Sequence, residues 1–158
     1  MKFAAILLLC VFVFSSCSDS KKAISGNKRQ KIIKEVSQFL YDNFKRIRRE
    51  GYTAELESLD DSPEFFWITP GKSMPVSYDS VAAIIKKFVP GNRSVVSTWD
   101  ILLVQPLSSE IATYTGKYHS VYTDTAGKVL EFNLHEIGTV VKRKGVWKLV
   151  SGKTSVLQ

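Results

Sequence analysis

Four side chains in the second half of the chain could do proton chemistry if they met: Asp100, Thr115, Glu136 and Lys153. A carboxylate shielded from water can take a proton from a bound molecule, and a nearby ammonium or second acid sets how readily it does so. The four sit on segments rich in β-branched and aromatic residues, 93–105, 110–123, 128–143 and 146–155. Short turns at 106–109, 124–127 and Lys144-Gly145 join these segments, so an antiparallel meander is the economical topology. With Gln105 opposite Glu110, Thr123 opposite Lys128 and Arg143 opposite Val146, the four side chains form one row across one face. Ile111, Leu130, Phe132, Leu134, Val140, Trp147 and Leu149 share that face, which is therefore expected beneath the helices. A plainer reading is a cross-strand Glu136–Lys153 ion pair at the sheet margin, with Asp100 in solvent. One β-bulge would dissolve the row. Asp100, Glu136 and Lys153 are thus candidates, and no residue is assigned as catalytic.

On this register the expected pocket lining is Trp67, Thr115, His119, Phe132, Glu136, Trp147 and Lys153, with His119 beside Phe132. The other face carries Trp99, Tyr114, Tyr118, His135 and Ile137. An aromatic sheet face needs cover, by a second copy of the chain or by a sugar stacked on it. His119 and His135 fall on opposite faces, so they cannot hold one metal together, and no metal site is expected. No glycine-rich phosphate loop, paired-histidine helix, acidic calcium loop or nucleophile elbow is present, and no cofactor is expected.

The elements that must position these residues are readable. Ile32, Ile33, Val36, Phe39, Leu40, Phe44 and Ile47 recur at spacings of three and four, predicting a long helix from Lys28 that stops at Gly51. Thr53 can cap a short helix over 54–59, and 64–69 reads as a strand closed by Pro70-Gly71. Ser77 caps a further helix over 78–88, with Asp79 in its first turn and Lys86 and Lys87 in its last, as the helix dipole favours. Helices followed by a curved antiparallel sheet predict an α+β domain with the helices on one side.

The first seventeen residues carry a different message. One lysine precedes an apolar run that ends in Ser15-Ser16-Cys17, too short for a comfortable membrane span of about 20 residues. Cleavage before Cys17 would leave a cysteine for lipid attachment; the alternative is an ordinary secretory signal cleaved nearby. Residues 1–16 are read as the signal peptide, 17–27 as a flexible tether and 28–158 as the domain. Cys10 would leave with the signal and Cys17 would be blocked, so the folded part would hold no thiol for disulfide, metal or nucleophile. The net charge of +7 lies wholly in residues 1–50, with 11 Lys and Arg against 4 Asp and Glu, while residues 51–158 hold 11 of each. For an exported chain this suits a solvated helix face or anionic headgroups, and no nucleic-acid partner is expected.

Two resemblances add to this. Ser15-Ser16-Cys17 followed by Ser18-Asp19-Ser20-Lys21-Lys22 resembles lipoprotein signals of Bacteroides-type bacteria, which implies an outer-membrane lipid anchor and residence in the cell envelope. The element order, the passage Asp61 to Gly71 and the closing hairpin Gly138 to Ser155 resemble the nuclear-transport-factor-2-like superfamily, particularly its SnoaL-like branch. The hairpin departs from that branch at Lys153, where a histidine commonly stands. The resemblance implies a cone-shaped, cystatin-like α+β fold that often dimerises through its sheet. It also implies functions from ligand binding to isomerase chemistry by carboxylates with a tyrosine. The expected protein is a lipid-anchored, non-catalytic domain that binds a small, partly apolar ligand or plays an accessory role. The alternatives are a small isomerase, dehydratase or cyclase, and a structural module of an envelope complex.

Overall fold

The computed structural model describes residues 24–157. The signal, Cys17 and most of the tether lie outside the described residues. Helix α1 spans Gly26–Glu50, starting two residues before the expected Lys28, and turns its buried stripe of Ile32, Val36, Leu40, Asn43 and Ile47 onto the sheet. Gly51, at φ 93°, ends it in a conformation that side chains disfavour. A 3-10 segment, Tyr52–Ser58, stands where a short α-helix is expected. Its exit is extended because the Asp60 N–H donates to the Leu149 carbonyl at 2.8 Å, pulling the chain onto the sheet before a second α-turn can form.

Strand β1, Phe66–Ile68, then lies along the sheet edge, and helix α2, Tyr78–Phe88, follows with Ser77 accepting from the Ser80 N–H at 3.4 Å. The meander comprises β2 Asn92–Pro106, β3 Ile111–Asp124, β4 Val129–Arg143 and β5 Val146–Val156. Sheet order is β1-β5-β4-β3-β2, and β1 runs parallel to β5. The sheet is therefore mixed, not wholly antiparallel as expected. The fold is otherwise the expected α+β cone, with helices on the concave face of a curved sheet.

Register departs from the expected one at four places. In the β2–β3 hairpin Gln105 lies opposite Thr113, not Glu110, because the Leu107 and Ser108 N–H groups both donate to the Ile111 carbonyl, at 2.9 and 3.0 Å. The β3–β4 loop is one residue longer on the β4 side, with Thr123 opposite Val129. Asp124 closes that loop by accepting from the N–H groups of Ala126 at 2.9 Å and Lys128 at 2.8 Å. In β2 a bulge at Asp100 separates the Trp99–Tyr118 pair from Ile101–Lys117. In β5 a bulge at Val150 separates Val140–Leu149 from Thr139–Ser151. Only the tight turn at Lys144-Gly145, with φ 50° and 86°, pairs Arg143 with Val146 as expected.

Each bulge reverses which alternate residues point inward. Trp147 and Leu149 face the helices, and beyond the bulge Gly152 and Thr154 do. The inner face of β3 is Ala112, Tyr114, Gly116, Tyr118 and Ser120, all buried. Phe44 of α1 stacks on Trp99 with ring centroids 4.9 Å apart, closing the core at the β2 side.

Candidate functional site

Glu136 stands on the inner face of β4 between Gly116 and Thr154, and its carboxylate is buried among hydroxyls. Tyr114 Oη donates to Oε1 at 2.6 Å, Thr154 Oγ1 donates to Oε2 at 3.0 Å, and Tyr118 Oη reaches Oε2 at 3.4 Å. Trp67 Nε1 in turn donates to Thr154 Oγ1 at 3.0 Å, fixing that hydroxyl from the sheet edge. Two glycines make the arrangement possible. A Cβ on Gly138 would lie 2.7 Å from the Tyr114 ring, and one on Gly152 would lie 2.5 Å from the Trp67 ring. Burial pushes the Glu136 carboxyl above its ordinary pKa, while the three hydroxyl donors work against that rise.

A cavity of about 310 Å³ opens beside this carboxylate. Its apolar wall includes Val81, Ile84 and Ile85 of α2 with Leu134 and Val156 of the sheet. Its polar end holds Glu136, Thr154, Tyr118, Tyr52 and a second acid, Glu55, from the 3-10 segment. Glu55 is partly exposed as a residue, yet its Oε2 is buried and has no hydrogen-bond partner. Burial, then the Glu136 charge, raise the Glu55 pKa from 4.5 to about 7, with Tyr52 working in the other direction. Burial and the acids push the Tyr114 and Tyr118 hydroxyls well above their ordinary range, and Tyr122 up to about 12. Glu55 and Glu136 thus border one cavity, and among the described residues no lysine, arginine or histidine lines it.

The row Asp100, Thr115, Glu136 and Lys153 does not form. Asp100 is the bulged residue of β2 and is exposed. Thr115 and Lys153 lie on the outer face, flanking Ile137, because of the longer β3–β4 loop and the β5 bulge. Thr115 instead bonds His135 Nε2 at 3.0 Å. Of the residues expected to line a pocket, Trp67, Phe132 and Glu136 border this cavity. Trp147 faces inward elsewhere, with Nε1 donating to Glu35 at 3.3 Å beneath α1. His119 lies outside, 3.1 Å from Asn133 Oδ1 and 3.4 Å from Glu131. His119 and His135 consequently share the outer face, a correction to the opposite faces expected. Trp99, Tyr114 and Tyr118, expected on that outer face, point into the cone; His135 and Ile137 do lie outside.

Glu55, Tyr52 and Thr154 went unrecognised in the sequence as cavity residues. Tyr114, Tyr118 and Tyr122, spaced by four along β3 with Gly116 between, are the signal that its even-numbered side is the filled one.

No family model matches the chain, and no curated protein matches it in sequence. Solved structures do match in shape. One is a nuclear-transport-factor-2-like superfamily protein from Salmonella enterica, at TM-score 0.68 and 12% identity over 82% of this chain and 93% of that one. Another is a hexachlorocyclohexane dehydrochlorinase from Novosphingobium barchaimii, at TM-score 0.66 and 11% identity over 85% and 92%. A third is a ketosteroid isomerase-like protein from Erwinia carotovora, at TM-score 0.63 and 16% identity over 80% and 96%. At these identities the likeness is one of architecture, and the chain has the fold of the nuclear-transport-factor-2-like superfamily.

Proposed function

We propose that the domain binds a small, largely apolar molecule in the cone and moves a proton on it, as an isomerase, dehydratase or cyclase does. The observation that carries this reading is Glu136, a buried carboxylate beside a cavity, held by hydroxyls alone. Glu55, with an unpartnered oxygen and a proton affinity near neutrality, takes or gives the proton. Burial, and then the Glu136 charge, raise Glu55 into that range. Tyr118, the hydroxyl least closely engaged by Glu136, is the donor for a ligand oxygen that gains negative charge. Fold neighbours described as a dehydrochlorinase and as ketosteroid isomerase-like support the reaction class by analogy alone.

5-Nitrobenzisoxazole, whose ring opens when a base removes one proton, tests this without knowledge of the natural substrate. The expected result is catalysed opening that rises with pH through about 7 and falls about 100-fold or more in Glu55→Gln. A rate no greater than that of free acetate, or one indifferent to that substitution, would contradict the reading. A second reading, a non-catalytic ligand-binding or accessory domain, is favoured by the fact that both Glu136 oxygens already accept hydrogen bonds. Ligand binding without turnover would select it.

Two further parts of the proposal concern placement. Cys17 carries the lipid that tethers the domain to the outer membrane of the cell envelope. Two copies meet through the outer sheet face, where Ile101, Leu103 and Ile137 are exposed. Among the described residues no helix is long and apolar enough to cross a membrane. Mass spectrometry of the Cys17 peptide and sedimentation of the purified protein test the two parts separately.

A further inference from the structure

The ligand's chemical class follows from the charges and rings of the cavity, given the site proposed above. Glu55 and Glu136 both border the space, and among the described residues no lysine, arginine or histidine lines it. Among the described residues Glu136 accepts only from Tyr114, Tyr118 and Thr154, and none of them offers a cation to offset its charge. Glu55 Oε2 is buried without a donor, a condition that a donor from outside the protein would relieve.

Aromatic rings supply the second half of the argument. Tyr52, Phe88, Tyr122 and Phe132 all border the cavity, each from a different element. Tyr52 and Phe88 meet at 5.6 Å and 64°, Phe88 and Tyr122 at 5.6 Å and 89°, and Tyr122 and Phe132 at 5.7 Å and 77°. Rings set nearly at right angles make the walls of a box rather than a stack, and the face of an aromatic ring attracts cations.

These features discriminate among ligands. A carboxylate or phosphate would enter a space that holds like charge and nothing to balance it. A neutral apolar molecule would satisfy the walls and leave the acids uncompensated. A protonated amine supplies donors to Glu55, charge to both acids and a cation to the rings, while its apolar body packs on Val81, Ile84 and Ile85. We propose that the cone binds a small organic amine, its ammonium held between Glu55 and Glu136 within the aromatic box and its apolar body toward α2.

Three compounds of nearly equal size and different charge test this: 2-phenylethylamine, 2-phenylethanol and phenylacetate. Each is titrated into the full chain at pH 8 and followed by the indole N–H resonance of Trp67, which is bonded to Thr154 at the cavity wall. The amine is expected to bind at least about tenfold tighter than the alcohol, with phenylacetate weakest. The preference should vanish in the Glu55→Gln/Glu136→Gln double variant. If that variant misfolds, Glu55→Gln alone should weaken the amine about threefold or more and leave the alcohol unchanged. Equal binding of amine and alcohol, or preference for phenylacetate, would overturn the amine class and leave the cavity as a ligand site. Silence from all three compounds would overturn both.

Discussion

Asp60 and Glu136 are carboxylates of nearly equal burial, 5% and 9% exposed, in opposite circumstances. Asp60 is gripped by Arg143, whose Nη2 and Nε donate to Oδ2 at 2.9 and 3.2 Å, and by Ser62 at 2.9 Å. Arg143 also pairs with Glu64. That cluster ties the segment after α1 to the β4–β5 turn, and none of its members lines the cavity beside Glu136. Among the described residues Glu136 has hydroxyl partners and no cation, and it faces a cavity. A buried acid with a guanidinium partner is a fastener, whereas one left with hydroxyls keeps a charge that a ligand can use. Glu35 belongs with Asp60: hydrogen bonds from Lys142 and Trp147 hold its pKa below the ordinary value.

The largest expected effect on stability breaks the fastener. Arg143→Met strands the buried Asp60 and should lower the denaturant midpoint more than any other substitution named below, though by less than the loss of a fully buried pair because Arg143 is half exposed. Glu55→Gln should do the reverse, stabilising by roughly 3 kcal/mol at most at pH 8. The sign follows from proton affinity. The folded pKa of Glu55 is raised from 4.5 to about 7, so the folded state holds the extra proton between those values. Stability from this group is therefore full below about 4.5, falls as pH rises to about 7 and is flat above. Glu136, shifted in the same direction, adds to the fall, and the slope should shrink in Glu55→Gln. A melting temperature that rises with pH across this window would break the comparison.

Gly138→Ala should come next, at about 1–3 kcal/mol, because the new methyl meets the Tyr114 ring and loosens its bond to Glu136. The smallest effects belong to Asp100→Ala and Lys153→Ala, each within about 0.5 kcal/mol and without effect on ligand binding, since both side chains lie outside the cone.

The helices were legible because their signals are local: the α1 stripe repeats at spacings of three and four, and Ser77, Asp79, Lys86 and Lys87 bracket α2. Strand boundaries were legible from the turns. Facing was not, because it accumulates over register. Asp124 lengthened one loop through its own side chain, and Asp100 and Val150 each inserted one residue. Together these turned Thr115 and Lys153 outward and Tyr114 and Tyr118 inward, leaving Glu136 as the single member of the expected row on the inner face. Glu55 was hidden because its role depends on a segment folding over the sheet, a contact between residues distant in sequence.

The central claim is that Glu55 and Glu136 share one cavity in which no cation lies among the described residues, and that burial and then the Glu136 charge raise Glu55 to about 7. Carbon-13 NMR of the Glu55 side-chain carboxyl, titrated from pH 4 to 9, addresses it directly. A midpoint near 7 that moves down in Glu136→Gln would uphold the claim. A midpoint near 4.5, unmoved by that substitution, would contradict it.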